Sequence, residues 1–363
     1  MNRTTLLNLL KYVIAVALLA FVIAMNWTAL NALFQREPHL QPLLAAAAIT
    51  ATVTAIQYYR WYLLVRALDL PFTLRNAVRL GLVGTFYNTF LPGSVGGDFV
   101  KAVFIAQGHP GRKASAVATV IADRLIGLFG LILFAGGVGG AFWAAGNEKI
   151  AQNVKLQWII IGCGSAAVAA VVGYTALGLV SKGAAARFGG RLHKLPRFGK
   201  TLDELWFTVW QYRQRPGTIL AVVAMSAVVH TGFVMNFHLA VQVFPPENPE
   251  LLGTLPEHFV IAPIGYIVQA VIPLPGGLGG GELTFGGLYV LIRGDQAVAL
   301  GLPRDAAAAV GLAGRLSMRL IEWTIGLIGY VAYLRMRNEL PVPTDEKEKD
   351  QKEKEEDEAV AAA

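Results

Sequence analysis

Long stretches without a charged residue constrain this chain more than any other feature. Residues 12–29, 40–59 and 156–180 contain no Asp, Glu, Lys or Arg. An apolar run of about 20 residues, wound as a helix, crosses roughly 30 Å of hydrocarbon. Inside hydrocarbon the backbone must satisfy its own N–H and C=O groups, so runs of this length read as spanning helices. Only 15% of the 363 residues are charged, against roughly 25% in soluble proteins. The recurrence of the runs, with charges gathered between them, argues against a soluble protein with buried core helices. The first run is followed by Asn26-Trp27-Thr28 and Asn31 rather than a small-residue cleavage site, so it reads as a spanning helix and not a removable signal.

Basic residues orient the runs. Arg60, Arg66, Arg75 and Arg79 follow the second run, and residues 181–216 hold eight Lys or Arg against two acids. The excess of Lys and Arg on cytoplasmic loops places both segments inside, with the N-terminus also inside. Leu202, Leu205, Trp206 and Val209 within that basic stretch suggest an interfacial helix. The net charge of +7 fits loops against anionic lipid better than a nucleic-acid partner. Further full crossings are expected over about 115–143, 218–241 and 306–333. Residues 345–358 carry nine acids and four lysines, so 341–363 reads as a disordered cytoplasmic tail behind a membrane domain of residues 1–340.

Two segments break the pattern. Apolar stretches 80–91 and 99–106 flank Pro92-Gly93-Ser94-Val95-Gly96-Gly97-Asp98, and stretches 259–272 and 283–292 flank Pro275-Gly276-Gly277-Leu278-Gly279-Gly280-Gly281-Glu282. Each half is short for a crossing. Proline removes an amide and glycine opens conformations closed to other residues. Such breaks are tolerated at membrane depth only against protein or a watery cavity. The expected fold is therefore all-α and polytopic, with about six full transmembrane helices and two broken re-entrant hairpins. By the charge rule one hairpin opens inward and the other outward, as in an inverted repeat.

Ions near the breaks are the candidate site. Asp98 and Glu282 close the two motifs; Lys101, Asp123 and Arg124 follow the first, and Arg315, Arg319 and Glu322 lie in the last run. Intramembrane charge is costly unless paired or watered. Arg319 and Glu322 have helical pairing distance, and guanidinium groups suit phosphate. Amides at half-helix starts also hold anions. Asn88 is placed to cap or line the cavity. Arg60 and Trp61, at the end of the second run, read as interface anchors. His230 and His238 are eight residues apart and make a weak metal case. A single cysteine, Cys163, excludes a disulfide, and neither Gly-rich break carries the Gly-Lys-Ser/Thr of a nucleotide loop. No cofactor is expected.

Taken together, Arg60-Trp61, Asn88-x-x-Leu91-Pro92-Gly93-Ser94-x-Gly96-Gly97-Asp98 with Lys101, Asp123-Arg124-x-x-Gly127, and Pro273-x-Pro275-Gly276-Gly277-x-Gly279-Gly280-x-Glu282 resemble the lysylphosphatidylglycerol synthase transmembrane, or flippase-like domain, family. The resemblance spans roughly residues 8–336. It implies movement of an anionic or aminoacylated phospholipid between leaflets of a bacterial cytoplasmic membrane, and the synthase activity in the family's name does not carry over; the Lys and Arg distribution places both termini in the cytoplasm. The soluble aminoacyl transferase domain of some members is not in this sequence. Lys101 stands where the family pattern suggests arginine, and the second motif has an additional glycine before Glu282. An integral-membrane enzyme acting on a lipid head group, or a non-transporting membrane subunit, are the alternative readings. A homo-oligomer and a cytoplasmic partner for the tail both stay open.

Overall fold

In the computed structural model, residues 3–90, 96–193, 199–272, 274 and 277–336 are described. Every regular element among them is helical: α1 (Arg3–Met25), α2 (Trp27–Phe34), α3 (Leu40–Ala67), α4 (Leu74–Phe90), α5 (Gly96–Gln107), α6 (Lys113–Ala144), α7 (Glu148–Ala151), α8 (Val154–Leu179), α9 (Lys182–His193), α10 (Gly199–Tyr212), α11 (Pro216–Ala240), α12 (Leu255–Val271), α13 (Gly280–Ala299) and α14 (Asp305–Met336), besides two short 3-10 turns. Leu91, Pro92, Gly93, Ser94, Val95, Pro273, Pro275 and Gly276, all in the two Gly-rich motifs, lie outside the described residues, as does the tail.

Four helices, α3, α6, α8 and α11, are long and apolar enough to cross a bilayer, and the bent pair α1–α2 makes up to five. Their outward side chains are apolar: Trp158, Val168 and Leu220 are exposed, as expected where the surrounding medium is hydrocarbon. The chain is a multi-pass α-helical membrane protein. Of the six full crossings expected from the sequence, the first and the last are not among these four helices. The first apolar run does not continue as one rod; it bends by 80° between α1 and α2. Asn26 stands at the corner, where its side-chain Nδ2 donates to the Val22 carbonyl at 2.9 Å. That bond offers the carbonyl a partner other than the helical amide. The last run forms a 32-residue helix, α14, roughly 48 Å long at the α-helical rise. Length is not what sets α14 apart from the four; Arg315, Arg319 and Glu322 interrupt its apolar sequence.

The helices on either side of each Gly-rich break pack against each other. α4 packs on α5, and α12 on α13. The first contact is close because Gly97 has no side chain: a Cβ there would overlap the Gly84 carbonyl. α6 and α8 also touch through glycines, Gly136 against the Gly164 backbone, the small-residue packing that lets helices approach in lipid. α14 lies between the hairpins, packed on α13 and along α4. Two apolar cores result. One gathers Phe237, Ile261, Phe285, Tyr289 and Leu312 from α11–α14. The other gathers Trp61, Leu64, Leu80, Ile105 and Val120 from α3–α6. The basic segment expected to lie on the membrane surface forms α9 and α10. Phe188 and Trp206 meet edge to face at 4.7 Å, and the Tyr212 hydroxyl donates to the Leu64 carbonyl at 3.0 Å, tying α10 to the end of α3.

Candidate functional site

Charged side chains from α3, α5 and α6 converge on a cavity of about 610 Å³, within the roughly 300–1,000 Å³ of small-molecule sites. α3 continues eight residues past Tyr59, to Ala67, so Arg60 and Trp61 lie inside the bundle. This corrects their reading as interface anchors. Arg60 is 4% and Trp61 1% exposed. The Arg60 Nε donates to Asp123 Oδ1 at 2.8 Å, one terminal nitrogen to Ser226 Oγ at 2.8 Å, and the other to the Asp123 carbonyl at 3.3 Å. The Trp61 indole donates to Thr119 Oγ1 at 3.2 Å. A buried guanidinium with a carboxylate and further hydrogen-bond acceptors is the arrangement that offsets desolvation of the charge.

Asp98 opens α5 and is buried. It pairs with Lys101 at 3.0 Å, one turn on, and with Arg124 of α6. The Lys101 stem lies across Gly84, and its ammonium sits 5.1 Å from the centre of the Trp61 ring, a cation–π distance. Asn88 does not point at the cavity alone: its Oδ1 accepts from the Gly97 amide at 2.8 Å, so it binds the start of α5 to the end of α4. Gly96 is the first residue of α5.

The lining contains three cations, Arg60, Lys101 and Arg124, and two carboxylates, Asp98 and Asp123, which leaves one positive charge in excess. The rim is different in kind. Phe99, Ile121 and Leu125 line the cavity yet are also exposed on the outer surface. Apolar and exposed side chains thus border the charged lining. Ala270, near the end of α12, lines it as well, so the second hairpin reaches the first site at one point.

The remaining predicted residues form a separate cluster. Gly277 and Gly279 have positive φ, 67° and 78°, which glycine adopts without strain, and Gly280 begins α13. The Glu282 Oε2 accepts from the Gly279 amide at 2.7 Å, closing the helix start with its own carboxylate. Its Oε1 accepts from Arg319 Nε at 2.9 Å and a terminal nitrogen at 2.6 Å. Arg315 holds Glu322 with two bonds, 2.9 and 3.1 Å, and Arg319 joins Glu322 at 3.1 Å. Arg315 and Glu282 are fully buried. Asp98, Lys101, Asp123 and Arg124 are therefore brought together around one cavity, while Glu282, Arg315, Arg319 and Glu322 form an ion cluster that does not line it. Three residues gave no sequence signal: Ser226 on α11, which meets Arg60, and Glu257 and Arg293, which pair with each other at 2.5 Å. His230 and His238 part company: His230 Nε2 bonds the Gly127 carbonyl at 3.0 Å and His238 Nδ1 bonds His258 at 2.8 Å.

Fold and site define a polytopic α-helical membrane protein with a charged cavity among its helices. More narrowly, the chain belongs to the family described as the lysylphosphatidylglycerol synthase TM region, which it matches over residues 8–320. No curated protein is significantly similar to it. Membership and the buried polar arrangement together assign it a lipid-handling role in the membrane.

Proposed function

We propose that the protein moves an anionic phospholipid between leaflets, with the head group in the α3–α5–α6 cavity and the acyl chains left in the bilayer. The observation that carries this reading is the pairing of a cationic interior with an exposed apolar rim. An ionised group costs several kcal/mol at the bilayer centre unless it is paired or solvated. The cavity offers Lys101 and Arg124 as phosphate partners, and each is now held by Asp98. A phosphodiester competes for these cations, so Asp98 is the counter-ion that releases them. One net positive charge favours a monoanionic head group over a cationic aminoacylated one, which would add an ammonium to three resident cations. The gap at Phe99 and Leu125 lets the tails stay in hydrocarbon throughout, and no covalent step is needed.

In this reading α4–α5 and α12–α13 are re-entrant hairpins of an inverted repeat, opening to opposite sides, with both chain ends cytoplasmic. The motivation is the matched Gly-rich motifs, the helix pairs beside them and the distribution of Lys and Arg. The test uses proteoliposomes with labelled phosphatidylglycerol, phosphatidylethanolamine and an aminoacylated lipid. Leaflet distribution is followed by quenching and the recovered lipid is weighed by mass spectrometry. The expected result is redistribution of the anionic lipid with its mass unchanged. A changed head-group mass would favour an integral-membrane enzyme, and a stationary lipid of unchanged mass a non-transporting subunit.

A further inference from the structure

Outside the cavity, three buried or part-buried titratable side chains from three helices are joined in a row. His238 lies near the end of α11, His258 in the first turn of α12 and Tyr289 in the middle of α13. His238 Nδ1 and His258 Nδ1 are 2.8 Å apart, and His258 Nε2 and the Tyr289 hydroxyl are also 2.8 Å apart. The Gly253 amide donates to that hydroxyl at 3.0 Å. His258 and Tyr289 are fully buried, and His238 is partly exposed. The Phe237 ring closes the side of His258 at 5.2 Å. Charged neighbours are Glu257 on α12 and Arg293 on α13, bonded to each other at 2.5 Å. Among the described residues, no side chain of α3 or α14 is hydrogen-bonded to the row.

Proton positions follow from the donor inventory. Two imidazole nitrogens in contact share one proton, since two acceptors repel and two donors clash. The Gly253 amide can only donate, so it occupies one lone pair of the Tyr289 oxygen. In the neutral state the phenol donates to His258 Nε2. His258 then carries its proton on Nδ1 and donates to His238 Nδ1, and His238 keeps its own proton on Nε2, toward the more exposed end.

An added proton cannot leave this order intact. Whether the charge settles on His238 or His258, His258 Nε2 now carries hydrogen. The Tyr289 oxygen becomes an acceptor from both His258 and Gly253, and its own O–H must turn to a new partner. One proton thereby redirects the hydroxyl that holds Gly253, beside the capping pair in which the Thr254 amide donates to Glu257 at 2.7 Å. That is the start of α12, whose far end, roughly 25 Å away along the helix, leads to the second Gly-rich break.

From this geometry we infer that His238, His258 and Tyr289 form one proton-binding site whose occupancy biases the α12–α13 hairpin, so that lipid movement is linked to proton uptake. The coupling rests on the translocation reading above; the proton site does not. Two measurements separate them. Magnetic resonance of isotope-labelled histidine in nanodiscs, between about pH 8 and pH 5 where histidine ordinarily titrates, should show the Nδ1–H tautomer at His258, the Nε2–H tautomer at His238 and a single shared midpoint. Tyr289→Phe should shift that midpoint and release the His258 tautomer. Independent midpoints, or no change in either ring, overturn the site. In proteoliposomes, a pH gradient should alter native lipid exchange by about 5-fold or more, the lower end of ordinary coupling between sites. The same gradient should leave folded His238→Gln and His258→Gln unaffected. Exchange indifferent to the gradient in the native protein overturns the coupling. If the native protein moves no lipid at all, the translocation reading and the coupling fail together, and the titration still decides the proton site.

Discussion

The two Gly-rich breaks look alike in sequence and differ in what surrounds their acids. Asp98 and Glu282 each stand in the first turn of a half-helix. Glutamate is one methylene longer, and Glu282 reaches back to the Gly279 amide while Arg319 grips its other oxygen. Asp98 instead faces α6, and its partner Arg124 is about half exposed, 48% for the side chain, against 4% for Arg319. The first break presents cations that can change partners. The second is a buried cluster in which two guanidinium groups and two carboxylates pair with one another, while the buried Arg315 Nε has no hydrogen-bond partner among the described residues. Similar sequence motifs thus border a cavity in one half and a buried ion cluster in the other.

Mutations at matched positions sharpen or break this contrast. Glu282→Ala has the largest expected effect. It leaves Arg319 buried without its main partner and the Gly279 amide open, at a cost of about 3–5 kcal/mol, read as loss of folded protein in detergent unfolding. Asp123→Asn comes next, at about 2–3 kcal/mol, because Arg60 retains Ser226 and the Asp123 carbonyl. Gly97→Ala forces α5 away from α4 and is expected to lower stability by about 1–3 kcal/mol while slowing lipid exchange. Asp98→Asn should cost less than Glu282→Ala, about 1–3 kcal/mol, since the amide oxygen still accepts and the half-exposed Arg124 keeps access to the cavity. If the Asp98 and Glu282 variants proved equally destabilised in the same unfolding series, the distinction between cavity and cluster would be lost.

Much of the frame was legible because charge-free runs leave few alternatives. Expected spans 156–180 and 218–241 lie within two residues of α8 and α11 at either end. The helices flanking the two breaks were legible too, although α13 runs to Ala299 rather than 292. What escaped depends on long-range partners. Arg60-Trp61 resembled a helix end beside head groups, yet Asp123 and Thr119, about sixty residues further along the chain, draw both inward. The bend at Asn26 coincides with its side chain reaching a carbonyl, which periodicity does not record. The two acids were read as equivalent because their motifs match; their neighbours on α6 and α14 separate them. His258 and Tyr289 carried no pattern at all, since their meeting requires α11, α12 and α13 to be packed together.

The most direct test is leaflet exchange of labelled phosphatidylglycerol in proteoliposomes by the native protein and by Asp98→Asn, with unfolding measured on both. The account predicts exchange by the native protein that falls about 10-fold or more in the variant, equivalent to roughly 1.4 kcal/mol in the barrier, while the variant stays folded. Equal exchange by a folded Asp98→Asn protein would contradict the placement of the head group at the first break.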